Sequence, residues 1–158
     1  MLSYRSERAP RQKSGHSVVE LGVGVFLLII FSLLCANIYV IYEARSYNDR
    51  ICRESIEGAA SAALDGENTD MVMSAARQTM EQRCGFGGNF FVEHPQFTLF
   101  KDEMKDDVRT LKIQTKTLAH LPVPILVYNP KSPDPRTVTF TSTYLYKIKN
   151  PRRVQAEQ

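Results

Sequence analysis

From Leu21 to Tyr42 the hydrophobic positions run together and no charged side chain interrupts them. About 20 apolar residues, each rising 1.5 Å, cross the roughly 30 Å hydrocarbon core of a bilayer. Lipid offers bare peptide groups no partner, so the stretch is expected to be a helix. It exceeds the apolar run of about 7–15 residues in a secretory signal, and no small-x-small exit site follows. The nearest approach, Ala36-Asn37-Ile38, lies inside the run. A retained anchor is expected.

Beyond the run the pattern changes to helical periodicity. No proline occurs from Glu43 to Leu64, and Cys52, Ile56, Ala59, Ala60 and Ala63 fall on one narrow face. The helix is therefore expected to continue out of the membrane to about Leu64. Asp65-Gly66-Glu67-Asn68-Thr69 reads as a stop and a turn, with Asn68 or Thr69 able to cap a second helix from about Asp70 to Arg83. On that second helix Met73, Ala76, Met80 and Cys84 share a face.

In an antiparallel helix pair, residues at equal height have numbers that sum to a constant. Cys52 with Cys84, Ile56 with Met80 and Ala60 with Ala76 all give 136. That places Cys52 and Cys84 level on facing stripes. Two readings follow: a disulfide in an oxidising exterior, or two buried thiols acting as small apolar residues. The first is preferred. Cys35 lies in the span and reads as packing filler, with an intersubunit bridge as the alternative.

After the glycine-rich 84–89 stretch the period becomes two. Phe90 to Val92 and Gln96 to Phe100 read as strand broken at Pro95, and 101–107 as a charged turn. Leu111, Ile113, Thr115 and Thr117 alternate with Lys112, Gln114 and Lys116. The segment 122–128 reads as a bend and edge strand, and 129–135 as a loop. In the last strand Val138, Phe140, Ser142, Tyr144, Tyr146 and Ile148 take one face. The expected class is α+β: a long N-terminal transmembrane helix continuing into a helical hairpin packed on a small antiparallel sheet. The segmentation is a basic leader (1–15), a transmembrane helix (16–42), an exterior hairpin (43–85), a β region (86–150) and a frayed tail (151–158).

Charge mainly reports topology. Of 20 basic residues, Arg5, Arg8, Arg11 and Lys13 precede the span with Glu7 as their one acidic companion. By the positive-inside rule the N-terminus is cytoplasmic and the C-terminal domain is outside. The part after residue 42 carries 16 basic and 15 acidic residues, and no basic stripe is visible along it, so nucleic acid is not an expected partner. The leader, polar and broken by Pro10, has too little apolar surface to order itself.

Candidate chemistry is sparse. His16, His94 and His120 lie in separate contexts, and no metalloprotease, dithiol, serine-hydrolase or Walker pattern occurs. Gly85 to Gly88 lacks the lysine of a phosphate loop, and the acids of 102–107 lack calcium-loop spacing. No catalytic residue, metal, cofactor or small-molecule substrate is expected, and the chain is not expected to be an enzyme.

Glu20 changes the picture. A carboxylate just inside an apolar run costs about 2.5–3.5 kcal/mol at mid-bilayer and less near the edge. Either it leans into cytoplasmic water, or it meets a positive charge on a neighbour. A basic leader, Gly15, four residues, Glu20 and a long apolar helix make up the signature of type IV prepilins. Within that group Gly-His-Ser-Val-Val-Glu-Leu (15–21), the apolar run and the segment from Tyr42 to Leu64 resemble the TadE-like pseudopilins of the tight-adherence (Flp) pilus machinery. The resemblance covers roughly the third of the chain from Gly15 to Leu64.

That resemblance implies a membrane prepilin peptidase cutting between Gly15 and His16, although His16 departs from the usual small or apolar residue. Glu20 then pairs with the freed amino terminus of another pilin or pseudopilin subunit. It also implies residence in the bacterial inner membrane with the outer domain periplasmic or extracellular. The competing expectation is an uncleaved single-pass anchor whose exterior domain binds an envelope partner or ligand.

Overall fold

The computed structural model describes residues 14–85, 89–123 and 136–149. The leader up to Lys13, the expected edge strand beyond Val123, the 129–135 loop and the tail lie outside the described residues.

Helix α1 (Ser14–Leu64) is one uninterrupted element of 51 residues. It stops where the glycine signal was read. Gly66 adopts φ 87°, its N–H donates to Ala63 O, and the N–H of Glu67 donates to Ala62 O. This pair of bonds is a Schellman closure, and it satisfies carbonyls the helix end would otherwise leave bare. Helix α2 (Thr69–Cys84) starts at Asn68, whose side chain accepts from the N–H of Met71 at 2.9 Å. Asn68, rather than Thr69, is the cap.

Three antiparallel strands follow: β1 (Gln96–Lys105), β2 (Val108–His120) and β3 (Thr137–Lys149), in the order β1-β2-β3. The expected charged turn is shorter than its composition suggested. β1 runs through Lys105, and the turn is Asp106-Asp107 alone, at φ 52° and 57°. Two consecutive positive φ values make the tight hairpin connection whose twist matches the strands. Phe90 to Val92 is not a full strand: it touches β2 through a single bridge from Val92 to Ala119.

The sheet lays its inner face on α1. Near the helix hairpin, Cys52, Ile56, Ala59, Ala60 and Ala63 pack with Val72, Ala76, Leu111, Ile113 and Ile148. At the other end Val40, Ala44, Tyr47 and Ile51 pack with Val92, Ala119 and Leu121. Between them sits a buried amide. Asn48 Oδ1 accepts from Thr115 Oγ1 at 2.9 Å and Thr117 Oγ1 at 3.0 Å, while its Nδ2 donates to Ser142 Oγ at 3.1 Å. Those bonds offset the desolvation of the amide, which left unpaired costs about 1–3 kcal/mol.

The antiparallel pairing of α1 and α2 is close to the expected register. A Cβ on Gly58 would strike Thr79, and Arg83 Nε reaches Glu54 at 3.4 Å; both pairs sum to 137. The expected Cys52–Cys84 disulfide is nonetheless absent, and both thiols are free. Height was right and direction was wrong. The Cys52 thiol points into the sheet and donates to Ser142 O at 3.5 Å, while Gly58, Glu54 and their neighbours face α2.

Another correction concerns charge. Lys101, Lys105, Lys112, Lys116, Lys147 and Lys149 occupy positions whose strand neighbours face the core, so alternation places all six on the outer face of the sheet. A basic surface therefore exists on the folded part. The linear sequence hid it because the lysines come from three strands separated by turns and acids.

Candidate functional site: the free half of the long helix

Every described side chain of α1 from Val18 to Leu33 is exposed, including Val18 at 71%, Leu21 at 70% and Phe31 at 67%. One helix of the described residues is long and apolar enough to cross a membrane, and this is its apolar half. The hydroxyl of Ser32 is satisfied within the helix, donating from Oγ to Leu28 O at 2.8 Å. That is the usual solution where water is not available.

The protein-covered part of α1 begins earlier than the hydrophobic run ends. Asn37, only 4% exposed, donates from Nδ2 to Val123 O at 2.9 Å and accepts from Val123 N at 3.3 Å. Val40 is buried one turn further on. From Val18 up to the buried Asn37 the helix is exposed except at the half-buried Leu34 and Ala36, a stretch of about 28 Å at 1.5 Å per residue, close to a hydrocarbon core. Tyr39 and Tyr42 stay exposed on the uncovered side, at the level where aromatic rings gather along membrane boundaries.

A signal for this boundary was present in the sequence. Asn37, Val40, Ala44, Tyr47, Asn48 and Ile51 continue at helical spacing the stripe that was read only from Cys52 onward. Uniform apolarity masked the start of a protein-facing side.

The residues singled out from the sequence are placed as follows. Gly15 and His16 lie in the first turn of α1. Glu20 is exposed, one turn further along, with Val18, Val19 and Leu21 exposed around it. Gly15, His16 and Glu20 thus gather at one end of the free segment, whereas Cys52 and Cys84 lie in the folded domain and do not join them. Cys35 is exposed on the apolar half.

Two further polar groupings join residues far apart in the sequence. Tyr47 Oη donates to Cys84 O at 3.0 Å and lies 3.2 Å from His94 Nδ1. Burial pushes the Tyr47 hydroxyl well above its ordinary pKa. Beside it, Asn89, Val92, Glu93, His94 and Gln96 line an open groove of about 470 Å³. Glu93 is engaged by His120 Nε2 at 2.9 Å, and no group of three His, Cys, Asp or Glu suited to a metal occurs among the described residues. At the far end of the domain, Arg109 and Asp102 form a buried ion pair that ties the strand hairpin to the helix turn.

The chain matches no protein-family model, no curated protein and no solved structure.

Proposed function

We propose that this chain is a pseudopilin-like assembly subunit without catalytic activity, resembling the TadE-like proteins. It is inserted in the bacterial inner membrane by α1, with the N-terminus cytoplasmic and the α+β domain outside. Prepilin peptidase releases the leader at Gly15, and Glu20 then pairs with the amine uncovered on a neighbouring pilin-like subunit. The observation that carries the reading is the build of α1: a single helix whose first half is bare and apolar and whose second half is the spine of a small domain. Copies of such a helix can pack side by side through their bare halves, and a lone carboxylate near the free end fixes their relative height.

Intact mass of the chain recovered from its native membrane tests this directly. The mature species begins at His16, and Gly15→Val leaves the full-length precursor in the membrane. A mass that starts at Met1, unchanged by that substitution, removes the assembly role.

The second reading is an uncleaved signal-anchored protein. It is favoured by the backbone at the cut site, since Gly15 and His16 already lie in the first turn of α1 rather than in an extended segment. On this reading Glu20→Ala leaves complexes with neighbouring subunits unchanged.

A further inference from the structure

The outer face of the sheet carries six lysines and one acid, Glu103, among the described strand residues. Lys101 stands directly opposite Lys112 in the β1–β2 register. Lys147 pairs with Thr110 and is therefore a diagonal neighbour of Lys112. Like charges placed this way repel, and they are not neutralised from within. Lys101 reaches Glu103 at 3.9 Å, but none of the other five has an ion pair among the described residues. A face that accepts self-repulsion is complementary to an external polyanion.

Which polyanion follows from the rest of the face. Among the described strand residues it bears no aromatic ring, because Phe97, Phe100, Phe140, Tyr144 and Tyr146 all take inner positions. Single-stranded nucleic acid relies on such rings for stacking. Nor do the described strands place an arginine on it, since Arg109 points inward, so they offer no planar fork of the kind that suits phosphate. Between the lysines stand the hydroxyls of Thr139, Thr141 and Thr143 on β3 and the amide of Gln114 on β2, whose Nε2 donates to Thr143 Oγ1 at 3.2 Å, together with the apolar Leu99, Val108, Leu118 and Leu145. Point charges interleaved with small hydrogen-bonding groups suit a polymer that carries both carboxylates and hydroxyls.

The host bilayer is out of reach. β2 runs back toward the membrane, with Thr115 and Thr117 beside Asn48 and Arg109 beside Ala63. Counting from Asn37 at 1.5 Å per residue, the level of Cys52 is ~22 Å and that of Ala63 ~39 Å above the boundary for an upright helix. Lys101, Lys112, Lys105, Lys147 and Lys149 occupy that range, beyond the ~8 Å over which lipid charge is felt in physiological salt.

We infer that the lysine-bearing face of the β1-β2-β3 sheet binds an acidic polysaccharide of the cell exterior. The choice of polymer rests on the proposed exterior topology; the binding surface does not.

The test uses the full chain in neutral detergent micelles and a short fluorescein-labelled oligouronate as probe. Binding that weakens as salt rises is expected, together with a loss of at least ~tenfold in Lys112→Glu/Lys147→Glu and a smaller loss in Lys112→Gln/Lys147→Gln. Arg45→Glu/Arg77→Glu, which removes the same charge from the helical side, is expected to bind within ~twofold of the unaltered chain. Circular dichroism and thermal unfolding, unchanged in all variants, confirm that folding is intact. Equal loss from the helical-side variant, or no oligouronate binding, overturns the site. Tighter binding of single-stranded DNA or of anionic vesicles than of the oligouronate overturns the polysaccharide. Processing is read separately by intact mass, so either proposal can fail alone.

Discussion

Arg109 and Asp102 form a two-pronged ion pair inside the domain, with Nη2 to Oδ2 at 2.6 Å and Nε to Oδ1 at 2.9 Å. Their side chains are 2% and 4% exposed. The guanidinium also donates to Glu67 O at 2.9 Å, and Thr69 Oγ1 donates to Asp102 at 3.0 Å. One buried pair thus joins β1, β2, the helix turn and the start of α2.

Breaking that pair on one side leaves a charge buried without a partner. Asp102→Asn is expected to cost about 3–5 kcal/mol, read as a lower urea midpoint for the full chain in micelles. Replacing both members by apolar residues, as in Asp102→Leu/Arg109→Met, is expected to recover much of the loss. A single substitution that leaves the midpoint unmoved contradicts the burial of the pair.

Gly58 permits the close approach of α1 and α2. A Cβ there meets Thr79 Oγ1, with Thr79 Cβ at 3.1 Å behind it. Overpacking of this kind costs about 1–3 kcal/mol, so Gly58→Ala is expected to lower thermal stability despite the higher helix propensity of alanine. Thr79→Ala in the same chain removes the hydroxyl and is expected to restore part of it.

At the membrane boundary, Asn37→Ala removes both hydrogen bonds to the Val123 peptide. Amide exchange at Val123 is expected to speed up at least ~tenfold, with the core amides of β2 unchanged, because a loop held only by packing opens more often. Unaltered exchange there would mean that the domain does not begin at Asn37.

The three cysteines make a thiol prediction. Denatured without reductant, the chain is expected to take up three alkylating groups, and a single adduct would restore the disulfide that the geometry excludes. In the folded chain Cys52 is expected to resist alkylation. It is fully buried, and burial pushes its thiol above the ordinary value of 9.0.

The same shifts set an alkaline limit. Burial raises the Cys52 and Cys84 thiols and the Tyr47 hydroxyl, and the hydrogen bond to Asp49 raises that of Tyr144. Each group holds its proton more tightly when folded. Its contribution is complete below the ordinary values of 9.0 for the thiols and 10.0 for the phenols, and drains away as pH climbs through the folded-state value. Thermal stability is therefore expected to fall from about pH 9 upward, and less steeply in Cys52→Ala measured against its own neutral-pH value.

How far the sequence carried the fold can be judged from single elements. The end of α1 at Leu64, a cap at Asn68 or Thr69 and the inner face Leu111-Ile113-Thr115-Thr117 are legible, since each is written in a local period or a turn residue, and the structure chooses Asn68. Asn48 and Arg109 were passed over because a polar residue reads as exposed until its partners are known. Asn48 meets Thr115, 67 positions away, and Arg109 meets Asp102 across a strand turn and Glu67 O, 42 positions back.

By itself the sequence determined what depends on neighbours along the chain: a helix able to span lipid, where it stops, and which side of each strand is apolar. Only the tertiary structure decided what depends on rotation and register. It turned Cys52 toward the sheet instead of α2, started the protein-covered face at Asn37, and brought six lysines from three strands onto one surface. The physical reason is that periodicity fixes which residues share a face. Which face meets which, and what then stands opposite, is set by packing between segments far apart in the chain.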